Sequence, residues 1–168
     1  MENVILVDEN DNQIGIAEKM ETHLGDGKRH RAFSILIFNN NGQLMLQKRA
    51  LGKYHSGGKW TNTCCGHPRP GENIIDAGKR RLKEEMGFDC SLDDIYQFKY
   101  QIKLENGLSE NEFDHVLVGK YNQKPMINLI EAMDWQWIEI DKLNMELIKN
   151  PDKFSYWFTK IAKKILEN

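Results

Sequence analysis

The sequence predicts an α+β fold in which a few helices pack on a mixed or antiparallel sheet. Two observations indicate this class. Most apolar segments have the length of strands and are joined by short polar turns, and two later segments have the apolar spacing of helices. No internal repeat or linker-like tract divides the chain, so we expect one domain over residues 1–168.

The N-terminal half is typical of two hairpins. Residues 4–8 and 14–18 are short apolar strands on either side of a polar turn. Further on, Asn41-Gly42 separates the apolar segments FSILIF and QLMLQKR. An Asn-Gly pair between apolar strands indicates a tight turn whose two central residues both have positive φ.

Residues 72–86 are predicted to form a helix, because Ile75, Leu82 and Met86 recur at helical spacing and Gly87 follows as a C-terminal cap. Residues 95–105 alternate between apolar and polar side chains and turn at residues 106–107 into a partner strand, and residues 134–140 supply one more strand. The last predicted helix begins at residues 150–152 and places five apolar side chains along one side: Phe154, Trp157, Phe158, Ile161 and Ile165.

Composition and charge exclude several classes of protein. With 40% hydrophobic and 29% charged residues the chain is ordinary for a soluble domain, and its net charge of -2 gives no bulk attraction to nucleic acid. No apolar run approaches the roughly 20 residues of a membrane helix, and the N-terminus lacks the pattern of a signal peptide. Three cysteines, two of them adjacent, make a poor disulfide framework. We therefore expect a cytoplasmic protein without nucleic-acid or membrane partners.

The segment TNTCCGHPRPGENIIDAGKRRLKEEMGF, residues 61–88, concentrates reactive side chains. Glu84 and Glu85 follow Arg80 and Arg81 by four residues. For an arbitrary helix this pattern indicates salt bridges on a solvated face. The other interpretation is that the carboxylates hold Mg²⁺, which in turn binds phosphate oxygens.

The spacing of the segment favours the second interpretation. Gly66, Glu72, Arg80 and the run LKEEMGF resemble the signature of the Nudix superfamily, a loop-helix-loop whose glutamates hold a divalent metal against a diphosphate. The resemblance implies an α/β/α sandwich, with the signature helix and the C-terminal helix packed on a mixed sheet. It also implies that Glu85 holds Mg²⁺.

One position departs from that signature. Nudix hydrolases carry a metal-binding glutamate where this chain has Arg81. An arginine there weakens the case for hydrolysis and favours binding of an intact diphosphate.

Three further motifs indicate a branch of the superfamily. TNTCCGHP, His23 with the run His30-Arg-Ala-Phe-Ser, and Ser109-Glu110-Asn111-Glu112 resemble type I isopentenyl-diphosphate isomerases over nearly the whole chain. That family moves the double bond of a five-carbon alkene diphosphate by protonation and deprotonation through a tertiary carbocation, in isoprenoid precursor biosynthesis. The resemblance implies a small homoallylic or allylic diphosphate as substrate, Mg²⁺ with the diphosphate, and a second metal. We expect a monomer or a homodimer.

The resemblance implies five ligands for the second metal: His23, His30, His67, Glu110 and Glu112. Three imidazoles and two carboxylates suit Mn²⁺ or Zn²⁺, and the sequence does not choose between them. Residues two apart on a strand share a face, so Glu110 and Glu112 can point at one ion. His55 and His115 match no ligand position, and we expect them to be structural or exposed.

Proton transfer is the second role that the resemblance implies. It makes Cys65 and Glu112 catalytic, with Tyr100 relaying or polarising a proton beside Glu112, while Cys64 and Cys90 pack. Moving a double bond requires a proton at one carbon and its loss from another, with water kept away from the cation between them. Cys65 and Glu112 are the candidates for opposite faces of the substrate, in either order.

Substrate binding is assigned to five residues. Trp157 can offer a π face to the cation, worth roughly 2 kcal/mol when desolvated, or can simply pack the last helix. The family's basic diphosphate-binding positions match four residues, each of which alone would be an ordinary surface charge: Lys19, Arg49, Lys53 and Arg81.

The register of the second hairpin decides whether Tyr100 can reach Glu112. A two-residue turn points Tyr100 to the face opposite Glu112. A three-residue loop with glycine at the bulge position pairs Leu104 with Leu108 and sets Tyr100 across from Glu112. The proposed site needs the second register or a bulge.

Two other functions remain as alternatives. The first is a Nudix hydrolase of a nucleoside diphosphate derivative, against which Arg81 and Cys65 count. The second is a non-catalytic diphosphate-binding or metal-storage module, which leaves Cys65, Glu112 and Tyr100 without a role.

Overall fold

The computed structural model describes residues 2–104 and 106–166, without the side chains of Ile165 and Leu166. These residues form one mixed sheet with helices. The strands are β1 (Asn3–Val7), β2 (Gln13–Glu18), β3 (His30–Phe38), β4 (Leu44–Arg49), β5 (Trp60–Thr61), β6 (Cys64–Gly66), β7 (Leu92–Lys103), β8 (Ser109–Lys120) and β9 (Ala132–Ile138). The helices are α1 (Lys19–Thr22), α2 (Ile74–Met86), α3 (Ile140–Lys149) and α4 (Tyr156–Leu166), with a 3₁₀ turn at Pro151–Lys153.

Strand β3 lies at the centre of the sheet. It pairs in parallel with β8, beginning with His30 opposite Glu112, and antiparallel with β1, β4 and β6. Its run FSILIF is apolar on both faces because both faces of a central strand are covered. The sheet is therefore mixed, as predicted.

Alternating residues of β3 face two different helical layers. Ile35 and Ile37 pack in the cluster that contains Leu82 of α2. Leu36 packs in the cluster that contains Phe158 of α4. The molecule is thus an α/β/α sandwich with the signature helix on one face and the C-terminal helix on the other, which confirms the predicted fold class.

Both N-terminal hairpins are present, but the turn after β3 differs from the prediction. Gly42 has φ 74°, whereas Asn41 does not have positive φ. The backbone N–H of Asn39 donates to the carbonyl of Gln43 at 3.0 Å, so residues 40–42 form a three-residue loop. The side-chain Oδ1 of Asn39 accepts from the N–H groups of Asn41 and Gln43, each at 3.0 Å. These two bonds stabilise the wider loop, and the expectation of positive φ at Asn41 was wrong.

The helices differ from the prediction at their starts. Helix α2 begins at Ile74, because the Asn73 side chain caps it by accepting from the Asp76 N–H at 2.9 Å. Helix α3 was not predicted. Helix α4 begins at Tyr156 rather than at Pro151, since the chain at Phe154 is extended and bridges Trp60. Among the described residues, no helix has the length and apolarity that crossing a membrane requires.

Strands β7 and β8 adopt the register that the site needs. Tyr100 lies directly opposite Glu112. The Leu104 N–H donates to the Leu108 carbonyl at 2.8 Å, and Gly107 has φ 75°. The connection therefore has Gly107 at the bulge position, as in the longer of the two predicted loops. Glu105, the first residue of that loop, lies outside the described residues.

Candidate active site

Four side chains from four parts of the chain converge on one point. His23 follows α1, His30 begins β3, His67 follows β6, and Glu112 lies in β8 beside His30. One ligand atom of each lies within 4.8 Å of those of the others, and all four residues are buried. The structure therefore brings together four of the five predicted metal ligands.

The hydrogen bonds of two of these histidines direct Nε2 of each ring at the cluster. The Nδ1–H of His23 donates to the Lys19 carbonyl at 2.6 Å, and the Nδ1–H of His30 donates to the Lys28 carbonyl at 2.9 Å. A carbonyl can only accept, so Nδ1 of each ring carries a proton, and Nε2 is the atom that can offer a lone pair to a cation. The Nε2 of His30 lies 3.2 Å from that of His67. A divalent ion satisfies such converging lone pairs, so the donor set fits a metal.

Glu110, the fifth predicted ligand, lies beside this group. Its Oε2 is 3.1 Å from Nε2 of His23. Both atoms are buried, and despite this short distance neither makes a hydrogen bond. Its Oε1 is 2.6 Å from Nε2 of His55. Glu110 therefore has one oxygen directed at the cluster and the other held by a histidine outside it.

Burial and the contacts between these side chains together set the ionisation of the cluster. Burial opposes a charge on His23, but the contact with Glu110 outweighs that effect and raises the pKa of His23. At His67 burial prevails. It lowers the pKa of His67 to about 4, so this ring is neutral at neutral pH. Burial opposes the charge on Glu112, but its contacts with His30 and His67 outweigh that effect and hold the pKa of Glu112 well below its usual range. A neutral imidazole and an ionised carboxylate are the forms that bind a cation.

Tyr100 contacts the same carboxylate. Its hydroxyl donates to Oε2 of Glu112 at 2.5 Å. Burial, together with the negative charge of Glu112, raises the pKa of Tyr100 well above its usual value. Tyr100 is therefore held as a neutral donor.

The two adjacent cysteines project in opposite directions from β6. Cys64 is fully buried in the apolar cluster under α2. Cys65 lines a pocket on the other side of the sheet. Burial raises the pKa of Cys65 to about 12, so its sulfur carries a proton at neutral pH.

Three polar contacts hold the Cys65 thiol. The thiol donates to Oδ1 of Asn62 at 3.2 Å, and Nε1–H of Trp157 lies 3.1 Å from the sulfur and 3.2 Å from the same Asn62 oxygen. Ser34 lies 3.9 Å from the sulfur and donates to Oδ2 of Asp114 at 2.8 Å. The sequence analysis missed Asn62, Ser34 and Asp114. A signal existed for Asn62, which lies within the TNTCCGHP motif, and for Asp114, which shares a strand face with Glu112.

One pocket brings the predicted catalytic and binding residues together. Its lining includes nine of them: Lys19, Arg49, Lys53, Cys65, His67, Arg81, Tyr100, Glu112 and Trp157. Glu85 and Glu110 line it as well. The two remaining predicted ligands, His23 and His30, are not among the lining residues, and their ring centres lie 5.9 and 4.9 Å from that of His67.

Three of the predicted cations at this pocket have defined contacts. Lys19 pairs with Glu2 at 3.0 Å, and Lys53 pairs with Glu131 at 2.5 Å. The Arg49 guanidinium lies 5.1 Å from the ring centre of Trp157, and its buried Nε has no hydrogen-bond partner. Trp157 is itself buried in the core under α4. Trp157 therefore packs the last helix and also borders the pocket.

Arg81 and Glu85 are in direct contact. Nη2 of Arg81 bonds to Oε1 of Glu85, while Nη1 bonds to Glu84 at 2.7 Å. The other oxygen of Glu85 accepts from the Gln47 amide at 2.7 Å. A single buried carboxylate fits a Mg²⁺ ion that takes most of its other ligands from a diphosphate and water.

The two remaining histidines have different environments. His115 lies between Asp94 at 2.6 Å and Asp11 at 3.0 Å, away from the pocket, and is structural as expected. His55, which we expected to be structural or exposed, lines the pocket and contacts Glu110. Nothing in the spacing of His55 indicated this contact, because its partner is remote in sequence.

Known proteins resemble the chain in sequence and in fold. The NUDIX domain family matches residues 28–158. An isopentenyl-diphosphate Delta-isomerase 2 of Aromatoleum aromaticum is 48% identical over 97% of this chain and 86% of its own length. Another isopentenyl-diphosphate Delta-isomerase 2, from Photorhabdus laumondii, is 51% identical over 94% of this chain and 89% of its own length.

Solved structures share the fold at low sequence identity. The protein DR0079 from Deinococcus radiodurans superposes with a TM-score of 0.81 at 18% identity, over 97% of this chain and 98% of its own. A MutT protein from Methanosarcina mazei superposes with a TM-score of 0.67 at 19% identity, over 81% of this chain and 91% of its own. These likenesses establish the fold.

Proposed function

Because this chain belongs to the isopentenyl-diphosphate Delta-isomerase family and contains a NUDIX domain, we propose that it interconverts isopentenyl diphosphate and dimethylallyl diphosphate in isoprenoid precursor biosynthesis. One observation carries the proposal: Cys65 and the hydrogen-bonded pair of Tyr100 and Glu112 line one pocket. The reaction needs two proton-transferring groups at one substrate, and the pocket supplies them.

The reaction is balanced in protons. A proton adds to the terminal CH₂ carbon of isopentenyl diphosphate, and the electron pair of the double bond becomes the new C–H bond. The neighbouring tertiary carbon is then cationic. Loss of a proton from the carbon on its other side forms the new double bond. Cys65 and Glu112, the latter with Tyr100, exchange these two protons with the two carbons.

Trp157 and the buried walls protect the cation. The indole is buried, borders the pocket and places its N–H at the Cys65 sulfur. A desolvated aromatic face attracts a cation by about 2 kcal/mol. A buried wall of this kind would also keep water from that side of the carbocation.

The diphosphate binds through the basic residues of the pocket. Lys19, Lys53 and Arg81 each pair with carboxylates in the free chain, and a multiply charged diphosphate anion would compete for them. Glu85 would hold Mg²⁺, which supplies neutralisation of diphosphate charge when bound. Arg81 replaces the glutamate of the hydrolase signature, which favours retention of the diphosphate over its hydrolysis.

The histidine cluster would hold the second metal. His23, His30, His67 and Glu112 supply three nitrogen ligands and one oxygen, with Glu110 adjacent. This set suits Mn²⁺ or Zn²⁺. When bound, the ion supplies a fixed positive charge beside Glu112. We further propose a monomer or homodimer in the cytoplasm, where the three free cysteines stay reduced.

One incubation tests the proposal. The chain is mixed with isopentenyl diphosphate, Mg²⁺ and Mn²⁺ or Zn²⁺, and the products are followed by NMR and by release of inorganic phosphate. We expect double-bond migration without phosphate release. Phosphate release without double-bond migration would indicate a hydrolase. No reaction at any metal concentration would indicate a non-catalytic binding module.

A further inference from the structure

His55 contacts the predicted metal site from outside it. The residue lies in the loop between β4 and β5, a position where most side chains face solvent. Its side chain is only 8% exposed, and its Nε2 is 2.6 Å from Oε1 of Glu110. The ring also packs edge-on against Trp157 with centres 5.4 Å apart and against Tyr54 at 4.3 Å. A loop histidine is therefore fixed on three sides at the edge of the site.

The two oxygens of Glu110 have different surroundings. Oε1 contacts His55, while Oε2 lies 3.1 Å from the Nε2 of His23 and is buried without a hydrogen-bond partner. The terminal torsion of a glutamate is broad, so a free carboxylate samples many orientations. A close contact at one oxygen restricts the position of the other. The 2.6 Å contact with His55 therefore limits the directions in which Oε2 can point.

The backbone around His55 is held independently of Glu110. Nη2 of Arg49 donates to the His55 carbonyl at 3.1 Å. The Asn106 side chain donates to the Tyr54 carbonyl at 2.8 Å. Since these bonds anchor the loop, the ring of His55 is presented to Glu110 as a fixed donor.

We propose that His55 is a positioning residue for Glu110, whose second oxygen it orients as a ligand of the metal in the histidine cluster. Metal ligands are commonly oriented by such an outer hydrogen bond, and its removal typically costs 10–100-fold in metal affinity. The inference rests on the proposed metal site, and it does not depend on the isomerase reaction.

Metal binding to the full chain tests the proposal directly. Wild type, His55→Phe, His55→Gln and His115→Gln are stripped of metal and titrated separately with Zn²⁺ and Mn²⁺ against a chromophoric chelator. Phenylalanine keeps the ring packing on Tyr54 and Trp157 but removes the hydrogen bond. Glutamine keeps an N–H donor. His115→Gln is the matched control, because His115 is also a buried histidine between acids but lies away from the pocket.

We expect His55→Phe to lower metal affinity by about 10–100-fold, His55→Gln to lower it less, and His115→Gln to leave it unchanged. The rise in melting temperature on adding metal should shrink in the same order, since this rise follows the affinity. Circular dichroism without metal checks that each variant is folded. If His55→Phe does not fold, His55→Gln and His115→Gln decide, and equal affinities for these two would overturn the proposal.

Two results would count against the inference in distinguishable ways. Wild-type affinity in a folded His55→Phe variant would overturn the role of His55 and leave the metal site standing. Failure of the wild-type chain to bind either ion would overturn the metal site and this inference with it. The isomerisation assay would still test the reaction separately.

Discussion

The indole nitrogen of Trp157 lies 3.1 Å from the sulfur of Cys65, although 92 residues separate them in the chain. The same indole N–H lies 3.2 Å from Oδ1 of Asn62, which also accepts the thiol proton of Cys65. Trp157 therefore holds the thiol of Cys65 as well as bordering the pocket. Its hydrogen bond and its π face make separable contributions.

Trp157→Phe should separate the contribution of the Trp157 hydrogen bond from that of its π face. Phenylalanine keeps an aromatic face toward the cation and removes the N–H bond to the sulfur. We expect kcat to fall about tenfold, which corresponds to the loss of one hydrogen bond of about 1.4 kcal/mol, with KM for isopentenyl diphosphate nearly unchanged. Steady-state kinetics measure both quantities.

Trp137→Phe is the control, because Trp137 packs against the cluster under α2, on the other face of the sheet. An unchanged kcat in Trp157→Phe would show that the bond to Cys65 has no role in turnover.

His67→Ala should lose the metal of the histidine cluster and nearly all activity while the fold survives. His67 contributes one of three imidazoles, and its Nε2 contacts both His30 at 3.2 Å and Glu112 at 3.1 Å. Metal content of the purified variant measures the loss, and circular dichroism measures the fold. Full metal stoichiometry with full turnover would remove His67 from the ligand set.

Arg81→Glu should raise KM for the alkene diphosphate. Arg81 contacts Glu84, Glu85 and Glu131 in the free chain. The exchange adds a fourth negative charge beside these three carboxylates, and together they repel the diphosphate. We expect KM to rise by about tenfold or more, with little gain of hydrolysis.

Arg81→Lys keeps the charge and should raise KM less, since lysine cannot bind two partners in the same fork geometry. Kinetics at fixed ionic strength, with a phosphate-release assay, measure both effects. A KM for Arg81→Glu equal to that of wild type would show that Arg81 does not contact the substrate.

The sequence predicted much of the fold because local rules decide it. The continuous apolar run of β3 requires cover on both faces, and the Gly87 cap ends α2 where predicted. Local rules did not decide the register at Tyr100, because an Asn-Gly pair permits two loops and the local sequence favours neither. Packing of Tyr100 and Phe98 against the α4 cluster selects the register that buries them.

The site was predictable only where a motif exists. The spacing of Glu110 and Glu112 places both on one face of β8, and the TNTCCGHP motif marks Cys65. His55 was missed because its partner, Glu110, lies far along the chain. Asn62 lies within the TNTCCGHP motif, but the motif does not report its bond to Trp157. Such contacts depend on tertiary packing, which no local pattern reports.

Cys65→Ala should abolish isomerisation, whereas Cys64→Ala should keep most activity. The two side chains leave β6 on opposite faces. Cys65 borders the pocket, and Cys64 is fully buried among Phe33, Ile35 and Leu82. Removing the Cys64 sulfur should cost about 1 kcal/mol of unfolding free energy through lost packing. Substrate binding should persist in Cys65→Ala, because the cations that bind the diphosphate are unchanged.

The two variants are assayed side by side for turnover, for binding of isopentenyl diphosphate and for unfolding in urea. A protonated thiol held by Asn62 and Trp157 has no neighbour of the same chemistry to replace it, since Ser34, 3.9 Å away, is a far weaker acid. Cys65→Ser should therefore be nearly as inactive as Cys65→Ala while it restores the hydrogen bonds. An active Cys65→Ala together with an inactive Cys64→Ala would reverse the assignment of the catalytic cysteine.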